Sequence, residues 1–272
     1  MRRLAAVMLV AVGTLLASCA EDIGSDAASS SVVVKASSPG STETPSVTSV
    51  RIGPLTPRDP ERISAEARTA IESLGESTAG PPADGQGHVH GATIEAPLLT
   101  GDKATFANQW LAAQHAVSRF DTLEEVAALG YVRSSAPISG IGSHWVLWPQ
   151  VAEPFDPSQP SMLLFDESRD PARLVGYSYW VQSPTEPEGF AGPNDHWHQH
   201  QGLCVVNGWV DRERVSGPDA CAGTFLAGGD LWMLHAWPVS GYENADGRFA
   251  TFNPMLCPSF VGTPDISRCP EE

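Results

Sequence analysis

Bases are scarce in this chain: 16 Lys and Arg stand against 32 Asp and Glu among 272 residues, a formal net charge of -16 with histidine neutral. A polypeptide this acidic repels phosphate backbones and anionic lipid surfaces, so nucleic-acid binding is excluded as an expectation. Long apolar runs are missing too. After Leu16 no stretch approaches the roughly 20 apolar residues that span a bilayer. The sequence also lacks a His-Glu-x-x-His helix, a Gly-x-Ser-x-Gly elbow, a phosphate-binding Gly-Lys loop and a dinucleotide fingerprint, which removes the standard hydrolase and nucleotide-enzyme readings. Methionine is rare, five residues, and dispersed, giving no Cu(I) thioether cluster in the sequence.

What is present at the start is Arg2 and Arg3 ahead of an apolar run from Leu4 to Leu16, the pattern of a secretory signal peptide. The next step, Leu16-Ala17-Ser18-Cys19, resembles the lipobox of bacterial lipoproteins. That resemblance implies cleavage after residue 18, lipid on the sulfur of Cys19, and anchoring to the outer face of the cell membrane or in the cell envelope; an ordinary secretory signal peptide is the alternative. Loss of residues 1–18 removes two arginines and no acid, leaving 14 bases against 32 acids and a formal charge of -18. Residues 19–58 are rich in Ser, Thr and Pro and contain no aromatic residue, so they read as a disordered tether. Residues 59–272 suffice for a single globular domain.

Within that domain Asp59-Pro60 reads as the start of a helix with Ile63, Ala67, Ile71 and Leu74 on one face and Gly75 as its stop. Thr105 to Phe120 reads as a second helix, with Phe106, Trp110, Val117 and Phe120 on one side and His115 on the solvent side. Asp121 and Glu124 have capping-box spacing for a third, closed by Gly130. Short apolar runs follow at 144–148, 161–165, 174–181, 203–210 and 230–237, of strand length and mostly antiparallel in expectation. The fold class expected is α+β, N-terminal helices followed by a mostly antiparallel β-sheet or sandwich.

With Cys19 assigned to lipid, Cys204, Cys221, Cys257 and Cys269 remain. An even number in an exported chain argues for two disulfides, and neighbour pairing, Cys204 with Cys221 and Cys257 with Cys269, is the preferred one of three connectivities. A thiolate metal site is the competing reading, disfavoured by the lack of a Cys-x-x-Cys pair.

The densest chemical signal is Asp195-His196-Trp197-His198-Gln199-His200, three of the chain's eight histidines within five residues. Imidazole is the commonest side-chain ligand for borderline transition metals. On a strand His196, His198 and His200 share a face, yet residues four apart lie about 13 Å apart along it, so further ligands must come from elsewhere. His235 is the first candidate, aligned by strand alternation with Leu231, Met233 and Trp237. His144 follows a Gly-rich turn, and His88 and His90 sit between Gly87 and Gly91. The plain alternative for each is a hydrogen-bonded core or surface histidine.

The His-x-His step resembles the metal-binding pair of cupins, although those place a glutamate shortly after it and here the next acid is Asp211. More broadly, Asp121 to Val132, Gly140-Ile141-Gly142-Ser143-His144-Trp145-Val146, Ser161 to Phe165 and Leu174 to Tyr177 are similar to a group of exported bacterial proteins. So are Leu234-His235-Ala236-Trp237 and Gly247 to Pro254. This resemblance implies one domain and an exported location, and supplies no catalytic residue.

Neutral imidazoles suit zinc or copper. The sequence therefore favours a membrane-anchored lipoprotein that binds or handles such a metal. The first alternative is a metal-dependent enzyme using a metal-activated water, with Asp195, Asp230 or Glu243 as acid/base. The second is an aromatic recognition surface built from Trp145, Trp148, Trp180, Trp197, Trp209, Trp232 and Trp237, whose plainer role is core packing.

Overall fold

A computed structural model describes residues 63–82 and 95–256. Cys19, the tether, His88, His90, Cys257 and Cys269 lie outside the described residues. Helix α1 (Ala65–Gly75) begins where Ser64, extended, accepts the Ala67 N–H at 3.1 Å. It buries Ala67, Ile71 and Leu74 in the expected stripe; the expected start at Asp59-Pro60 lies outside the described residues. Helix α2 (Thr100–Ala116) begins earlier than expected, its first turn masked by the turn-like Gly101-Asp102, and a 3-10 turn at Val117–Arg119 brings Phe120 into the core. His115 is exposed on α2, as its position opposite Phe106 requires.

Helix α3 (Leu123–Ala128) is capped one residue later than the sequence suggested. Thr122 and Glu125, not Asp121 and Glu124, form the reciprocal capping box. Both pairs have the right spacing, and this phase sets Val126 in the buried position.

Nine strands follow: β1 (Val132–Arg133), β2 (Ser143–Val146), β3 (Met162–Asp166), β4 (Arg173–Gln182), β5 (His198–Gln199), β6 (Leu203–Val206), β7 (Trp209–Arg212), β8 (Thr224–Leu226) and β9 (Leu231–Ala236). They form a six-stranded sheet, β1-β2-β3-β4-β9-β5, and a three-stranded sheet, β7-β6-β8. Every pairing is antiparallel, as expected. The run 203–210 is a hairpin rather than one strand. Its turn is Asn207-Gly208 at φ 52 and 78°, the doubly positive geometry of a two-residue hairpin loop, with Val206 opposite Trp209.

Alternation along the large sheet separates two cores. One face, with Trp145, Leu163, Phe165, Tyr177 and Leu234, packs with Phe106, Ala113 and Val126 from α2 and α3. The other, with Val146, Leu164, Trp180, Leu231 and Met233, packs with Leu203, Val205 and Leu226 of the small sheet and with α1. Trp145, Trp148, Trp180, Trp197 and Trp237 are buried and only Trp209 and Trp232 half-buried, so the seven tryptophans mainly fill these cores. Among the described residues no helix is long and apolar enough to cross a membrane.

Candidate functional site

Strand β9 alternates between the two cores, sending Leu231, Met233, His235 and Trp237 toward the small sheet and Trp232, Leu234 and Ala236 toward the helices. At the sheet edge β5 pairs His198 with Met233, so His198 and His235 project from the same face. Their ring centroids are 5.5 Å apart. His200, just beyond β5 and 5 % exposed, brings its ring to 5.4 Å from that of His198.

His144 arrives from the far side of the sheet. It pairs with Leu164 of β3, Leu164 with Gly176 of β4, and β4 with β9, where Ser178 faces His235. In a flat sheet three strand spacings would separate the two histidine backbones by about 14 Å. Their ring centroids lie 6.4 Å apart, so the two side chains converge across the intervening strands on the same sheet face. On β4 the missing side chain of Gly176 admits the Trp237 ring, and Ser178 stands in register with His235.

Two imidazoles on one tetrahedral ion, at metal to nitrogen distances near 2 Å, place their ring centroids about 5 Å apart. The separations around His198 are within about half an ångström of this, and that between His144 and His235 is longer. Consistent with that slack, no group of three or more His, Cys, Asp or Glu among the described residues is closed tightly enough to hold an ion as it stands.

The rings are oriented from behind. His144 Nδ1 lies 2.8 Å from Ser135 Oγ, which also accepts the His144 backbone N–H at 3.0 Å and donates to the Ala136 carbonyl at 2.8 Å. A hydroxyl has one proton. In the arrangement that gives this proton to the Ala136 carbonyl, Nδ1 donates to Ser135 and Nε2 carries the lone pair. His200 Nδ1 faces Glu213 Oε1 at 3.4 Å, and His198 Nδ1 faces the His196 carbonyl at 3.4 Å. Partners that hold Nδ1 and leave Nε2 as the ligating nitrogen are the ordinary outer support of histidine metal sites.

Burial, with a smaller contribution from His200, lowers the His144 pKa to about 4 against the opposing pull of Glu213. The ring is therefore neutral at pH 7, the form a metal requires. Glu213 is 49 % exposed; crowding by its neighbours pushes its carboxyl up, but the hydrogen bond and charge of His200, with the charges of His144 and Arg214, hold it below its ordinary range. A cavity of about 400 Å³ opens beside His144 and His200, with Glu213 at its polar end and Ile141, Trp180 and Met233 on its walls.

The structure thus brings together His144, His198, His200 and His235. His196 is exposed and offers the group its backbone carbonyl. The proposed acids are engaged elsewhere: Asp230 accepts from Ser77 and Gln182 at 2.6 and 2.9 Å, and exposed Glu243 accepts the Gly241 N–H at 2.8 Å. Burial raises the Asp195 pKa. Glu213, absent from the sequence candidates, is the carboxylate that faces His200, and Asp211 lines the same cavity. The hairpin turn alone does not predict where Glu213 falls: the register shifts between Cys204 and Val205, and beyond β7 the Arg214 N–H donates to the Gln201 carbonyl at 2.9 Å, which leaves Glu213 beside His200.

Of the two expected disulfides, Cys204–Cys221 is present; it joins β6 to the loop before β8. No family model matches the chain, and neither a curated protein nor a solved structure matches it.

Proposed function

We propose that this chain is an exported metal-binding protein, anchored to the outer face of the membrane or in the cell envelope by lipid on Cys19. In this reading it holds zinc or copper through His144, His198, His200 and His235. The observation that carries the reading is convergence. Half of the chain's eight histidines, from three separated segments, are linked ring to ring: His198 to His200 at 5.4 Å, His198 to His235 at 5.5 Å and His235 to His144 at 6.4 Å. Nδ1 contacts from Ser135 and Glu213 orient two of them toward the ligating tautomer.

The test is metal content of the purified full-length protein by inductively coupled plasma mass spectrometry. Near-stoichiometric zinc or copper, lost on joint replacement of His198 and His235 by Ala, is the expected result. No bound metal after supplemented growth, and none on titration, would refute the reading.

The cavity favours a second reading, a metal-dependent enzyme with a coordination position open to solvent. In that case Glu213 is the carboxylate placed for acid/base work. Azide should then bind the copper-loaded protein and change its absorption spectrum; a site filled by protein ligands gives no such change.

A further inference from the structure

Two of the three methionines among the described residues border the histidine site. Met162 and Met233, on β3 and β9, both line the cavity that His144 and His200 border. Met233 is in direct register with His198 across β5 and β9, and precedes His235 by two residues on the same face of β9. Residues directly opposite on antiparallel strands have Cβ atoms roughly 5 Å apart. A methionine side chain, unbranched with three rotatable bonds, can place its sulfur over such a distance in many directions. The space between the His198 and His235 rings, 5.5 Å from centroid to centroid, lies within that reach.

Ligand softness then decides between the metals. Zinc sites in proteins are built from thiolate, imidazole and carboxylate, whereas thioether sulfur is a soft donor that favours Cu(I). We infer that the site takes copper, in the Cu(I) as well as the Cu(II) state, with the Met233 thioether as a ligand beside the imidazoles of His198 and His235. This rests on the metal-binding reading and adds to it the identity of the metal and a fifth protein ligand. Met233 is 4 % exposed and also packs in the core, so the substitution that separates the two roles is Met233→Leu, which conserves volume and removes the sulfur.

Affinity of the full-length protein for Cu(I) is measured by competition with bathocuproine disulfonate, and for Zn(II) by competition with a chromogenic zinc chelator. The expected result is Cu(I) binding weakened at least about tenfold in Met233→Leu, with Zn(II) binding changed less than about twofold. Copper K-edge absorption of the unsubstituted protein should show a sulfur scatterer. That measurement keeps the test decisive if the variant folds poorly. A histidine-dependent site with no sulfur scatterer, or with Cu(I) affinity indifferent to Met233, overturns this inference and leaves the metal-binding reading standing. No binding of either ion overturns both.

Discussion

His198 and His235 stand one diagonal step apart on neighbouring antiparallel strands, with ring centroids separated by 5.5 Å and planes inclined by 31°. Diagonal neighbours on a sheet face start about 7 Å apart at their Cβ atoms. The rings have therefore leaned toward each other. A packing histidine on a half-apolar face gains little from approaching a second imidazole, whereas a pair of ligands must.

Single substitutions should separate these rings from their neighbour in sequence. His198→Ala and His235→Ala are expected to weaken metal binding by more than the ~10–100-fold that loss of an outer supporting group costs. His196→Ala should leave affinity unchanged, because its exposed ring is outside the cluster and alanine keeps the carbonyl that meets His198. Equal losses in all three variants, measured by chelator competition, would return the site to the local His-x-His-x-His arrangement.

The groups behind the rings give a graded test. Ser135→Ala removes the oxygen at His144 Nδ1, and Glu213→Gln replaces the carboxylate at His200 Nδ1. Each is expected to lower affinity ~10–100-fold without changing stoichiometry. Ser135→Thr keeps the hydroxyl and should retain most of it. Loss of stoichiometry in Glu213→Gln would instead make Glu213 a direct ligand.

How far the sequence reaches is visible at these same residues. Strand alternation on 231–237 already aligned His235 with Met233, because a period of two needs no tertiary information. The approach of His144 to His235 was not readable, since it depends on the order β2-β3-β4-β9, which sets two strands between them, and on the lean of both rings across that span. His196 went astray for a related reason. Alternation would hold it beside His198, but β5 is only two residues long and His196 precedes it. Glu213 was not readable from the Asn207-Gly208 turn, whose register would set it opposite Gly202; a shift between Cys204 and Val205 intervenes before β7 ends. The third helix shows the limit of local rules: two overlapping pairs satisfied the capping-box spacing, and burial of Val126 accompanied the phase adopted.

Asp195 gives a pH prediction with a definite sign. Its burial raises the pKa first and foremost, the charge of Glu186 acts in the same sense, and hydrogen bonds from its own backbone and Trp197 with the charge of His196 oppose it. A carboxyl raised in the folded state holds its proton more tightly there than in the unfolded chain. Stability is therefore lost as pH rises from the ordinary carboxylate range through the folded pKa, and the loss is complete at neutral pH. Asp195→Asn should raise the melting temperature at pH 7 and give no gain near pH 3, where Asp195 is protonated in both states. A lower melting temperature at pH 7 would mean that the Asp195 charge contributes more through its hydrogen bonds than burial takes away.

The Cys204–Cys221 disulfide is expected to matter to the site as well as to the fold. It spans 17 residues that contain the β6–β7 hairpin. Closing a loop of this size in the unfolded chain stabilises the native state by roughly 3 kcal/mol. Cys204 is fully buried in β6, opposite Arg212 and Phe225, so its sulfur holds the middle strand of the small sheet to the chain that leads into β8. The end of β7 in turn carries Glu213 to His200. Replacing both cysteines by Ala should lower unfolding free energy by about that 3 kcal/mol in urea denaturation. At a temperature where the variant remains folded, metal affinity should also fall, by about as much as in Glu213→Gln. Adding Glu213→Gln to the disulfide-free chain should then cost little more, because both changes act through the same carboxylate. Additive losses would show that the disulfide steadies the histidines by a route that bypasses Glu213.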